Sequence, residues 1–317
     1  SVMEMKDEQI NLFSESLIDV KTKIKRCNIC NNFTEEEIIQ GIWLAHMLGK
    51  KIYLTVNTLV KEKEISTLHD FLMPYYQNGL DGVIVQDVGV VRYIKEHFPN
   101  MELHVSTQMT ITGSDGARLL KEEGAVRIVP ARELSLEEIK EIKEKVDIEI
   151  ETFIHGAMCY CYSGQCLFSS ILGGRSGNRG RCAQPCRLPY QVEGKKEQYP
   201  LSMKDMCTLS LIPELIEAGI DSFKIEGRMK RPEYAAGVTA LYRKYIDLYY
   251  HNPQAFTVDE KDLEYLRKLY IRSDISEGYY HQHNGKNMIT PGSPAYAGSD
   301  DGLLSYIREM YLEKKPK

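Results

Sequence analysis

No apolar run in this chain of 317 residues approaches the roughly 20 that a membrane-spanning helix needs. The opening residues, Ser1-Val-Met-Glu-Met-Lys-Asp-Glu8, are acidic and polar and lack the basic-then-apolar order of a secretory signal. Positive charge is not in excess either: 40 Lys and Arg stand against 45 Asp and Glu, a formal net charge of −5. Nothing therefore attracts the whole molecule to nucleic acid, and any RNA contact requires a local basic patch. Hydrolase signatures are missing: there is no HExxH and no GxSxG elbow. The paired CxxC of a zinc ribbon and the CxxCxxC run of a ferredoxin are absent too. The lone Cys27–Cys30 pair is a weak metal signal. The chain reads as a cytoplasmic globular protein without a membrane partner. In that reducing compartment clustered cysteines serve metals or catalysis rather than disulfides.

Cysteine is what the chain concentrates. Of eight, Cys159, Cys161, Cys166, Cys182 and Cys186 fall within 28 residues, and Cys207 follows. Four thiolates need only meet in space to hold an iron–sulfur cluster, whereas one nucleophile would leave the others unexplained. The competing reading is a cysteine nucleophile, Cys159 with His155 as its base.

Around this cluster the chain alternates short apolar, β-branched runs with amphipathic stretches. Helices are expected over 38–48, 63–76, 115–123, 136–145, 210–218, 232–250 and 259–269. Strands are expected over 51–57, 82–87, 103–108, 126–130, 148–153 and 221–226. Two further runs, 9–13 and 16–20, are candidate strands. Consecutive βα units predict a (β/α)8-type TIM barrel or an incomplete variant. The barrel-like domain is expected over 1–250, with an irregular cysteine-rich insertion at about 156–207. A C-terminal helix and irregular tail over 251–317 would pack on it.

Chemistry in such barrels sits at the C-terminal strand ends, and here those ends are polar. They carry Asn57; Gln86 and Asp87; Ser106, Thr107 and Gln108; Arg132 and Glu133; His155; and Lys224, Glu226 and Arg228. Gln86, Asp87, Ser106, Thr107 and Gln108 are expected to bind a small anionic ligand. Arg132, Glu133, His155, Lys224, Glu226 and Arg228 are the candidate catalytic groups, with His155 an acid/base near neutral pH or a support for the metal site. Arg175, Arg179, Arg181 and Arg187 form a basic group within the cysteine region. Tyr160, Tyr162 and Tyr190 could stack on a base.

These residues carry a resemblance. Gly156-Ala-Met-Cys159, Ser163-Gly-Gln-Cys166 and Gly180-Arg-Cys182-Ala-Gln-Pro-Cys186 closely resemble the signature of the collagenase-like peptidases, peptidase family U32. Ser106-Thr-Gln108, Ala131-Arg-Glu-Leu-Ser135, Lys204-Asp-Met-Cys207 and Lys224-Ile-Glu-Gly-Arg228 extend it over about 31–298. The resemblance implies either the peptidase activity that named the family or an oxygen-independent hydroxylase with a 4Fe-4S cluster. Its hydroxylase members act on tRNA wobble uridine, a ribosomal cytidine or a ubiquinone precursor, with prephenate as oxygen source. By position the implied ligands are Cys159, Cys166, Cys182 and Cys207, with Cys186 competing for a place. An RNA substrate follows, tRNA before rRNA, as does a homo- or hetero-oligomer with a related member. The family's opening strand and its Ala-Pro-Ala-Gly-type turn are not recognisable before residue 31, so an inactive, truncated member is the alternative.

Overall fold

The structure, a computed structural model, describes residues 33–191, 193–194, 196, 198–227, 230–272, 274–290, 292 and 300–313. The candidate strands at 9–13 and 16–20, the Cys27–Cys30 pair and Arg228 lie outside the described residues.

The βα alternation is present. In order come α1 (Glu35–Met47), β1 (Tyr53–Val56), α2 (Glu62–Ile65), α3 (Leu68–Gln77), β2 (Gly82–Val85), α4 (Val88–His97) and β3 (Glu102–Val105). Then follow α5 (Ser114–Glu122), β4 (Arg127–Ile128), α6 (Leu136–Lys145), β5 (Glu149–Gly156), α7 (Phe168–Gly173) and β6 (Asp205–Cys207). The last are α8 (Ile212–Glu217), β7 (Ser222–Ile225), α9 (Pro232–His251), α10 (Glu260–Arg267), β8 (Ile275–Ser276) and α11 (Asp301–Ile307). Thr34 and Ser135 build capping boxes at the starts of α1 and α6. The helix expected over 63–76 is broken, because the Ser66 and Thr67 hydroxyls donate back to the carbonyls of Lys63 and Glu64.

Strands β1 to β5 pair in parallel and in chain order. Strand β5 then branches: residues 151–155 pair with β7 in parallel, and its end, His155 and Gly156, pairs antiparallel with β6, which carries β8. Among the described residues the result is a mostly parallel eight-stranded α/β sheet that is not closed; the candidate strands at 9–13 and 16–20, on which a closed barrel would draw, lie outside them. Strand β1 has β2 as its neighbour and no second strand beside it among the described residues. Strands β1 and β2 are buried along their whole length, as strands covered on both faces must be.

Below the strand ends lies a charged layer. Glu151 accepts from Lys224 Nζ at 2.9 Å, Ser222 Oγ at 2.9 Å and an Arg127 Nη at 3.3 Å. Arg127 also reaches Glu149 at 2.7 Å. A register shift between Phe153 and His155 reverses the facing of β5 beyond this layer. Phe153 is paired with Lys224, while His155 is paired with Ile225.

Candidate active site

Strand β5 ends at Gly156, whose φ is +114° and where a Cβ would lie 2.5 Å from the Glu226 carbonyl oxygen. Only glycine lets β5 pass β7 so closely before the chain turns out toward Cys159. The outgoing segment is held by Arg132, which donates to the Ala157 carbonyl at 3.3 Å, and by Arg187, which donates to the Met158 carbonyl at 2.6 Å.

Next, a turn closed by Gln165 N donating to the Tyr162 carbonyl docks on the turn after β3. Thr110 Oγ1 donates to the Ser163 carbonyl at 2.6 Å, and Gln165 Nε2 donates to Thr110 Oγ1 at 2.9 Å. The chain continues through α7 into a strap over 174–181. Arg179 grips Glu64 at 2.9 and 3.2 Å, and Asn178 donates to Gln86 Oε1 at 2.8 Å. The strap leads to Cys182, and a helical turn at Pro185–Arg187 presents Cys186.

These segments enclose a cavity of about 260 Å³. The thiol-bearing residues Cys159, Cys161, Cys166, Cys182 and Cys186 line it with Tyr160 and Tyr162. Thr55, Asn57, Thr107, Gln108, Arg132 and Glu226 line it from the strand ends. Arg132 lies 3.6 Å above the Phe153 ring and 3.7 Å from the Glu226 carboxylate. Burial pushes the Cys159 thiol up, against the pull of Arg132 and with the like charges of Cys186, Cys182 and Cys166 adding to it. Burial likewise raises Cys186, which senses Cys182 and Cys166. Burial and a hydrogen bond with Cys166 push Cys161 up to about 11. Among the described residues no three His, Cys, Asp or Glu side chains converge tightly enough for a single metal ion.

Several candidates stand elsewhere. Cys207 does not line the cavity; it is buried in β6 beside His155, with the Tyr242 hydroxyl 3.8 Å from its sulfur. His155 faces α9, its Nδ1 3.4 Å from the Tyr242 hydroxyl, because the β5 register shift turns it from the cavity. Burial, with Lys230 adding a like charge, holds its pKa down to about 3. Lys224 sits below the site in the charged layer. Asp87 caps α4, accepting from Gly89 N and Val90 N. Ser106 accepts from Gln108 N, and Gln86 binds the Gln108 carbonyl, so both brace the wall behind the cavity. Glu133 is buried, which raises its pKa, and accepts from Ser163 Oγ at 3.4 Å. Of the basic group, Arg179 and Arg187 are engaged within the fold. Tyr190 donates to the Pro185 carbonyl. Asn178 and Phe153 were not foreseen as site residues. Neither stands out by residue type, and both owe their place to long-range packing.

The family model of peptidase family U32 matches residues 19–290. The chain belongs to this family. It is 43% identical over 250 residues to tRNA hydroxylation protein P1 of Bacillus subtilis, covering 75% of this chain and 59% of that protein. It is 42% identical over 218 residues to the 23S rRNA 5-hydroxycytidine C2501 synthase of Escherichia coli, covering 67% and 33%. It is also 32% identical over 278 residues to a collagenase of Porphyromonas gingivalis, covering 80% and 65%. The chain thus spans between a third and two thirds of the length of these relatives. Among the described residues no helix is long and apolar enough to cross a membrane.

Proposed function

We propose that this U32 chain carries the active site of an enzyme that hydroxylates a pyrimidine in RNA, tRNA before rRNA, without dioxygen. Cys159, Cys166, Cys182 and Cys186 hold its 4Fe-4S cluster. The observation that carries this reading is the gathering of these thiols, Arg132 and Glu226 around one cavity at the strand ends. The names of two relatives, a tRNA hydroxylation protein and a 5-hydroxycytidine synthase, supply the reaction class.

The donor set fits a cluster. Thiolates are its natural ligands, and a body of several irons holds them farther apart than one ion would. Cys159 and Cys186 each sense Cys166 and Cys182 as well as each other or their common neighbours. Cys161 lies beside Cys166 and is the spare thiol. Bound there, a cluster supplies one-electron chemistry. Arg132, laid flat on Phe153 beside Glu226, sets a fixed positive charge in the cavity wall, and prephenate is the co-substrate that the family resemblance implies. Glu226 is the carboxylate in the cavity wall placed to take or return a proton. The peptidase reading lacks its dyad, since His155 is turned toward α9 and away from Cys159's cavity.

Nucleoside mass analysis of tRNA and rRNA from a strain lacking the gene tests this. The account expects one hydroxylated pyrimidine to disappear and Cys159→Ala to fail to restore it. Unchanged RNA contradicts it.

A further inference from the structure

We infer that Gln108 and Arg132 form a base-reading wall that takes the hydrogen-bonding edge of a single pyrimidine turned out of its strand. This deepens the RNA reading above and rests on it. Among the described residues, Gln108 Oε1 and Arg132 Nε are buried without a hydrogen-bond partner, and both residues line the cavity. The other buried side-chain atoms without partners belong to residues that do not line it. One is an acceptor and the other a donor, so an acceptor-only anion cannot satisfy both.

Both residues are held in place. The Gln108 carbonyl accepts from Gln86 Nε2 at 3.1 Å, and its N–H donates to Ser106 Oγ at 3.2 Å. Gly164 presses on the same carbonyl, leaving the side chain as Gln108's free part. Arg132 is fixed by Phe153, Ala157 and Glu226. Uracil, with N3–H beside a carbonyl, and cytosine, with N4–H beside N3, each carry a donor and an acceptor side by side, so the same Oε1 and Nε pair meets either edge. Gln108 therefore confers affinity for the edge rather than a choice between the two bases.

Size and stacking point the same way. With the cluster taking its share between the thiols, a cavity of about 260 Å³, already below the ~300–1,000 Å³ of drug-sized ligand sites, has room for one ring and not for a paired helix. Tyr160 and Tyr162 line it and are exposed at 45% and 54%, so both are accessible to an incoming base.

The test measures fluorescence anisotropy of the full, anaerobically reconstituted chain with a short labelled oligouridylate and with an abasic strand of equal length. The wild type should prefer the base-bearing strand. Gln108→Leu should reduce that preference by roughly tenfold, with abasic-strand binding, iron content and melting temperature unchanged. Gln108→Asn, which keeps the amide, should recover part of it. Equal loss for both strands, or loss for neither, overturns the base-reading role. A wild type that binds neither strand but cleaves gelatin overturns the RNA reading beneath it.

Discussion

At Gly164 the space left for a side chain is nil: the φ is +79°, and a Cβ would lie 2.1 Å from the Gln108 carbonyl oxygen. Gly164→Ala should cost about 1–3 kcal/mol as overpacking. It should also displace the turn between Cys161 and Cys166, read as a lower melting temperature together with lost iron. His155 gives a second prediction, on pH. Its folded pKa is depressed to about 3, so the folded chain refuses a proton that the unfolded chain accepts below about 6.5. Stability is therefore complete above that value and falls as pH drops, by about 2 kcal/mol between pH 7 and pH 5. Urea midpoints should show this slope and show it flattened in His155→Gln; an unchanged slope contradicts the assignment. The thiols, Arg132, Gln108 and Glu226 were legible from residue type and position at strand ends. The placing of His155 was not, because one irregular step in β5 reverses which side a residue faces, and a two-residue period carries no sign of it. Cys207 shows the same limit: its spacing from Cys182 does not say which way it faces in a three-residue strand, and it does not line the cavity.

The elements that foreshadowed themselves in sequence are the long periodic ones, such as α6 and α9. Those that did not are short: α7 with six residues, β6 with three and β8 with two. Such lengths carry too few repeats of any period to be read. The same holds for the strap over 174–181, which has no regular structure and takes its shape from distant partners. Its lock is Arg179, bidentate on Glu64 with both side chains mostly shielded from solvent. Since the strap delivers Cys182, Arg179→Ala should loosen it with a modest loss of about 1 kcal/mol. Limited proteolysis should then cut within 174–181 several-fold faster, with iron lost sooner on exposure to a chelator. Unchanged cleavage would show that the strap is held by other contacts.

Across the whole molecule, alternation of strands and helices was enough to foresee a parallel sheet, because βα order is written locally. Closure is not written locally, since it depends on whether the first strand meets the last. Strand β5 acts as a junction, joining β4, β7 and β6, and its end delivers the chain into the cysteine-bearing segment. The charged layer of Arg127, Glu151 and Lys224 underlies the cavity and supports the Phe153 platform on which Arg132 rests. The cavity is thus a property of the assembled sheet and loops together, and its central claim is the thiol set. The most direct test is iron and acid-labile sulfide per chain on anaerobically purified protein, wild type beside Cys159→Ala, Cys186→Ala and Cys207→Ala. The account predicts about four of each per chain, lost in Cys159→Ala and Cys186→Ala and retained in Cys207→Ala. No iron after anaerobic reconstitution, or loss with Cys207→Ala and retention with Cys186→Ala, would contradict it.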